Sequence, residues 1–256
     1  MKILIKLGGT LLEEEAPRAA LAKQLAAFCE TNPSSTIVHG GGKQMTRYLD
    51  QRGIVSEFVE GLRVTSPAVI DAVLKVVAGT VNHELVANLV AAGASAVGIS
   101  GIDAGLTICE ILDPALGAVG HPVEANTRIL DTLCAAHFLP VVACVGASRD
   151  GQILNVNADQ MATSIASAWK VDRLLFLTDV SGVRGADGNT IPVLRAEAAL
   201  RLINDGIATG GMMAKLRSAI STLENGVHEV RIALGSEPDV IARVQSGEAL
   251  GTAIVN

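Results

Sequence analysis

Aromatic residues make up only 2% of the 256-residue chain, so its core cannot be built around stacked rings. The apolar material is Ala, Val, Leu and Ile within a hydrophobic fraction of 49%, a mixture that suits β-branched strands covered by Ala/Leu helices. Cysteine is sparse: Cys29, Cys109, Cys134 and Cys144 form no C-x-x-C pair and lie among apolar neighbours. That excludes a zinc ribbon or a thiol redox motif, and reduced core thiols in a cytoplasmic protein are expected. Net charge is −6 with no basic stripe, so no nucleic-acid partner is expected. Strand-like residues begin at Met1, where a signal peptide would show a basic and then an apolar region. One charge-free stretch, Leu85–Ile102, is long enough to ask about a membrane span. Gly93, Gly98 and Gly101 divide it and Asn88 interrupts it, so a helix end, a turn and a buried strand are expected, and no membrane contact.

Familiar catalytic motifs are also missing. His39-Gly40-Gly41-Gly42-Lys43-Gln44 resembles the tail of a P-loop, but Gln44 stands where Ser or Thr is needed and Ile37 where the first glycine is needed. No G-x-G-x-x-G follows a strand. His83-Glu84 has no second histidine at 87, and Gly98-Ile99-Ser100-Gly101-Ile102 lacks the last glycine of a nucleophile elbow. No metal-ligand cluster is present. These absences remove the common nucleotide folds and hydrolases.

What is present is an alternation of periods. Continuous apolar runs at Lys2–Leu7, Thr36–His39, Ala96–Ile99, Leu139–Val145, Arg173–Leu177 and Glu229–Ala233 predict strands buried on both faces. Helical patterns cover Pro17–Glu30, Lys43–Arg52, Pro67–Ala92, Ala158–Trp169, Ala196–Asp205 and Lys215–Glu224. The order predicts an α/β fold with a mostly parallel sheet and helices on both sides, read as two lobes of one continuous sheet meeting near residue 148. Asp150-Gly151 reads as a hairpin turn between short strands near 145 and 155. The pattern over Pro67–Ala92 is too apolar for a surface helix with one buried stripe. It is either central to the fold or an oligomer interface, and the interface is the preferred reading.

Several runs open abruptly into glycine. Lys6-Leu7-Gly8-Gly9 and His39-Gly40-Gly41-Gly42 both end strands, and Thr209-Gly210-Gly211 precedes the helix with Lys215. Glycine lets bare backbone N–H groups approach a ligand, and clustered N–H groups ahead of a helix cradle anions. Lys6 is a snorkelling edge lysine or a cation facing a phosphoryl group, since an unpaired buried ammonium is expensive. Asn157 fits an N-cap. Asp159, in the first helical turn, either complements the helix dipole or holds lysines in place. Thr178-Asp179-Val180-Ser181-Gly182-Val183 is a plain turn or a base and ribose site. Lys215 is a surface lysine or a phosphate ligand. Arg63, within Gly61-Leu62-Arg63-Val64-Thr65, is a surface residue or a fork for a carboxylate.

Taken together and in order, these segments resemble the amino acid kinase family. The carrying residues are Lys6–Gly9, His39–Gly42, Gly61–Thr65, Asn155-Val156-Asn157-Ala158-Asp159-Gln160, Thr178–Val183, and Gly210-Gly211-Met212 with Lys215. The resemblance implies an open αβα sandwich. Its N-terminal lobe, residues 1–148, would hold an acyl amino acid and dimerise, and its C-terminal lobe, residues 149–256, would hold ATP. It implies phosphorylation of the side-chain carboxylate of N-acetyl-L-glutamate to an acyl phosphate, a step of arginine biosynthesis, with Mg²⁺ arriving on the nucleotide. By position, Lys6, Lys215, Asp159, Gly9 and Gly42 match the catalytic set. Gly41, Gly42, Arg63 and Asn155 match substrate contacts, with Arg63 on the α-carboxylate. Gly8, Thr178, Asp179, Val180, Ser181, Gly182, Val183, Arg184, Ile207, Ala208 and Thr209 match nucleotide contacts. No bound metal of its own is implied, and a homodimer through helix 67–92 is. Alternatives are a kinase for a related carboxylate, such as N-succinylglutamate or carrier-bound aminoadipate, and a non-catalytic amino acid sensor on the same scaffold. The loop Ser100-Gly101-Ile102-Asp103-Ala104-Gly105 departs from the family pattern by the added Ala104.

Overall fold

Ile3–Leu7 forms strand β1, with all five residues buried. In the computed structural model, which describes residues 1–256, it lies inside an eight-stranded sheet. The chain continues through α1 (Glu15–Thr31), β2 (Ser35–His39), α2 (Gly42–Asp50), a short hairpin of β3 (Phe58–Val59) and β4 (Leu62–Arg63), α3 (Pro67–Val73), a π-wound segment (Leu74–Val81) and α4 (Asn82–Ala91). Next come β5 (Ala96–Ser100), β6 (Thr107–Ile111), β7 (Val119–Ala125), α5 (Arg128–Ala135), β8 (Leu139–Ala143), β9 (Val145–Ala147) and β10 (Ile153–Val156). The last elements are α6 (Ala158–Trp169), β11 (Arg173–Thr178), β12 (Val193–Arg195), α7 (Ala196–Asn204), α8 (Gly210–Glu224), β13 (Glu229–Leu234), α9 (Val240–Gln245) and β14 (Thr252–Val255).

The sheet runs β12-β14-β13-β11-β1-β2-β8-β5. Pairing is parallel from β13 to β5, and the chain reverses direction only at the β13–β14 pair. This is the mostly parallel α/β sheet that the alternation of periods predicted. Its helices fall into two groups, α1 packing on α4 and α9, and α6 packing on α8. The four remaining longer strands close a small barrel, β10-β7-β6-β9, beside the sheet. Asp150-Gly151 turns between β9 and β10 as expected, with Gly151 at φ +88°.

Three expectations are corrected in detail. The run Leu139–Val145 is two strands, β8 in the sheet and β9 in the barrel, because the chain leaves one layer for the other at Cys144. Strand β5 is an edge strand, half-exposed and not buried on both faces. The pattern 67–92 is one rod, but its middle widens into a π-helix over Leu74–Val81. Much of its apolar surface is satisfied within the chain, since Val69, Val73, Val76, Val77, Val81, Leu85 and Leu89 are buried, while Val90 is 54% exposed. All four cysteines are free and buried, and burial pushes the Cys29 thiol up to about 12. No helix is long and apolar enough to cross a membrane.

Candidate functional site

Register places the glycine turns side by side. Leu7 of β1 pairs with His39 of β2 on one side and with Leu177 of β11 on the other. The chain therefore leaves the sheet at Gly8-Gly9, at Gly40-Gly41-Gly42 and at Thr178-Asp179 along one carboxyl edge, where parallel sheets bind ligands. The turns touch. A Cβ on Gly9 would stand 3.2 Å from the Gly42 nitrogen, and a Cβ on Gly8 would stand 3.3 Å from the Leu177 carbonyl oxygen. The N–H groups of Gly9, Gly41 and Gly42 donate to no backbone carbonyl, and Gly42 opens helix α2. Backbone donors free of protein acceptors, at a helix N-terminus, form an anion cradle.

The cationic side chains converge on the same edge. Lys6 is 7% exposed, and its Nζ lies 2.7 Å from Asp159 Oδ1. Lys215, in the second turn of α8, donates from Nζ to Asp159 Oδ2 at 2.8 Å. One buried carboxylate thus bridges two ammonium groups drawn from opposite ends of the chain. Burial pushes the Asp159 carboxyl up, but Lys6 and then Lys215 outweigh it and hold the group below the usual carboxylate value. Asp159 is presented by α6, whose start is fixed by Asn157: its Oδ1 accepts from the Asp159 and Gln160 N–H groups. The N-cap and the lysine-holding readings both apply, to neighbouring residues. Two cations against one anion leave excess positive charge in a buried place, which favours an anionic ligand.

Arg63 is buried on β4, and its neighbours are neutral. Nη2 donates to the Gly42 carbonyl at 3.1 Å and to Thr46 Oγ1 at 2.8 Å, Nη1 donates to Ser56 Oγ, and the guanidinium lies 4.5 Å over the Phe58 ring. None of the ion pairs in the protein includes it. Burial lowers its pKa, with Asp50 opposing from a distance. A desolvated guanidinium without a carboxylate is poised for one from outside the chain. Asn155, on β10, donates to Thr65 Oγ1 at 3.0 Å, which ties the barrel to the chain just after Arg63. Thr46, Ser56 and Phe58 escaped the sequence reading. Their only signal is proximity to Arg63, which sequence spacing does not encode.

The nucleotide-side candidates are distributed unevenly. Thr178 ends β11 beside Gly8, with Asp179, Val180 and Ser181 exposed beyond it. Gly182 and Val183 turn inward: Gly182 has φ +142° with Thr252 against it, and the Val183 N–H donates to Thr252 Oγ1. Arg184 is exposed and bridges to Thr190. Ile207 and Thr209 are exposed ahead of α8, whereas Ala208 is buried. Val183 and Ala208 thus give their side chains to the core and could meet a ligand only through backbone. In the divergent loop, Ala104 takes φ +53°, and Asp103 Oδ2 accepts from Ser100 N–H and Oγ.

The model of the amino acid kinase family matches residues 1–234. The chain is 57% identical to the acetylglutamate kinase of Solibacter usitatus, over all of this chain and 99% of that one. It is 41% identical to the acetylglutamate kinase of Ruegeria pomeroyi, covering 90% of this chain and 80% of that one. Among solved structures, N-acetylglutamate synthase from Neisseria gonorrhoeae, complexed with coenzyme A and N-acetyl-glutamate, superposes with a TM-score of 0.86 at 23% identity, and the chain spans 59% of its length. Carbamate kinase from Giardia lamblia bound to AMP-PNP superposes over 98% of its length with a TM-score of 0.76 at 16% identity. At such identities the two structures speak for the fold alone.

Proposed function

The chain belongs to the amino acid kinase family, and on that premise we propose that it uses ATP to phosphorylate the side-chain carboxylate of N-acetyl-L-glutamate, a step of arginine biosynthesis. The observation that carries this reading is the single carboxylate of Asp159 between Lys6 and Lys215, next to the free amides of Gly9 and Gly42. The acceptor needs no general base, because a glutamate side chain with pKa near 4.3 is ionised at neutral pH. The only histidine at the cradle, His39, is fully buried and pushed down to about 4 by desolvation. What remains is to bring one anion onto another, and phosphoryl transfer is mostly positioning and charge neutralisation.

In this reading a carboxylate oxygen forms a bond to the γ-phosphorus. The bond to the β,γ-bridging oxygen breaks, and ADP leaves with its electron pair. Lys6 and Lys215 face the charge spread over the transferring group, and the Gly9 and Gly42 amides donate to its oxygens. Arg63 takes the α-carboxylate, with Gly41 and Asn155 on the rest of the acyl amino acid. Gly8, residues 178–184 and 207–209 line the nucleotide. Both Asp159 oxygens are engaged by lysines, so Mg²⁺ would be held by the nucleotide's phosphates, where it would neutralise their charge. The same reading assigns residues 1–148 to the acyl amino acid and 149–256 to ATP. It places the enzyme in the cytoplasm as a homodimer joined along helix 67–92.

Trapping the product with hydroxylamine tests the reaction. With N-acetylglutamate, N-succinylglutamate and a carrier-bound aminoadipate offered in parallel, hydroxamate formation should be most efficient with N-acetylglutamate. ADP release with another acceptor ahead of it would reassign the substrate, and no hydroxamate from any would remove the kinase reading.

A further inference from the structure

A buried polar chain leads to the glycine cradle from behind. Asn82, the first residue of α4, is 2% exposed. Its Nδ2 donates to the Val141 carbonyl at 3.0 Å and faces His39 Nε2 at 2.9 Å. The opposite amide orientation would set Oδ1 against that carbonyl, so Nδ2 is the donor to both. His39 Nε2 is then the acceptor, and the ring proton sits on Nδ1. Nδ1 donates to the Gly40 carbonyl oxygen at 2.9 Å. Room for this chain is made at Gly98, where a Cβ would stand 2.1 Å from Asn82 Oδ1.

The Gly40 oxygen is joined to the cradle by a rigid unit. It shares one planar peptide with the Gly41 N–H, which points the opposite way. Holding the oxygen therefore aims the N–H. The neighbours leave little slack: a Cβ on Gly40 would lie 3.3 Å from Ala158 Cβ, next to Asp159, and one on Gly41 would lie 3.2 Å from Val77 Cγ2 on the π-wound segment. We propose that His39, oriented by Asn82, is a positioning residue for the reaction: it aims the Gly41 N–H, and with it the start of the Gly41–Gly42 cradle, at the reacting anion. The inference rests on the kinase reading of that cradle.

Two substitutions divide the ring's roles. In His39→Asn the amide nitrogen stands near the Nδ1 position and can still donate to the Gly40 oxygen, but Asn82 loses its acceptor. In His39→Gln the side-chain amide reaches the Nε2 position and can still meet Asn82, while the Gly40 oxygen is left unheld. Because misplacement by about 1 Å can reduce rate by about 100-fold, His39→Gln should lose about 10- to 100-fold in kcat with little change in KM for ATP. His39→Asn should stay within about fivefold of wild type, whichever variant melts lower. A role in packing alone predicts that activity follows stability. Equal losses in the two variants, or a His39→Gln kcat within threefold of wild type, would overturn the proposal. If His39→Gln does not fold, His39→Leu, which likewise leaves the Gly40 oxygen unheld, must show the same kcat-selective loss. The Gly41 amide resonance of the free protein provides a readout without turnover: it should shift in His39→Gln and hold in His39→Asn, and the reverse order would overturn the proposal. Wild-type protein in the hydroxamate assay separates the two failures, since an inactive wild type counts against the kinase reading and a misplaced resonance against the positioning role.

Discussion

Replacing Asp159 by asparagine keeps the shape of the side chain and removes the charge between two ammonium groups. Lys6 and Lys215 approach different oxygens of one carboxylate, at 2.7 and 2.8 Å. Two ammonium groups on the two oxygens of one carboxylate stand on the order of 5–7 Å apart, and at an effective dielectric of about 20 two unit charges at such a separation repel by about 3 kcal/mol. With the carboxylate in place that repulsion is offset. Without it, the lysines swing apart to relieve it and no longer meet on one phosphoryl group. At 1.36 kcal/mol per factor of ten, the corresponding loss in kcat is about 100-fold. KM for ATP should not rise, because the unneutralised pair attracts the triphosphate at least as strongly. Removing one partner of a buried ionic cluster also destabilises the fold by about 3–5 kcal/mol, measurable by urea unfolding. The kinetic test is hydroxamate formation at saturating ATP and acyl amino acid, at a temperature where the variant is folded. A kcat within threefold of wild type, or an effect confined to KM for ATP, would refute the bridging role.

Other consequences can be measured separately. Arg63→Ala should raise KM for the acyl amino acid by about 10- to 100-fold, the value of a charge-assisted bond, and leave KM for ATP nearly unchanged; a shift in the ATP constant alone would reverse the assignment of the two lobes. Gly9→Ala sets a methyl 3.2 Å from the Gly42 nitrogen, and backbone cannot yield as a side chain does. At least a tenfold fall in kcat with unfolding unchanged within about 1 kcal/mol is expected from a displaced amide donor, and normal turnover would show that the two turns do not act together. His39 is held at about 4 against an ordinary value of 6.5, so between those values the unfolded chain binds the proton and the folded chain does not. Stability is therefore complete above pH 6.5 and falls toward pH 4, by on the order of 3 kcal/mol. Urea unfolding across that range should show the slope in wild type and lack it in His39→Asn; equal slopes would assign it to another group.

Much of the architecture was legible because period and composition act locally. Apolar runs such as Ile3–Leu7 and Arg173–Leu177 read as buried strands and are buried strands, and Ala158–Trp169 carries its N-cap in Asn157 and its periodicity within itself. Strands β6 and β7 were not legible: Gly120 and Pro122 break the apolar pattern, and both strands depend on barrel partners distant in sequence. The same distinction holds in the site. Glycines after Leu7 and His39 announce exposed amides, and Lys6 at the end of a buried strand announces a need for an anion. Nothing in the residues around Lys6 indicates that its partner is Asp159, or that Asp159 is shared with Lys215; only the family resemblance grouped the three, because that bridge joins β1, α6 and α8 through space. Asn82 is an unremarked polar residue in an apolar helix until the fold sets it against His39 and Gly98. The chain's own order of residues determined which groups were available, since propensity, glycine freedom and charge are properties of single residues and short windows. Only the tertiary structure decided which of them meet, since a hydrogen bond or an ion pair depends on distance and orientation, and those are set by the register of strands far apart in the chain.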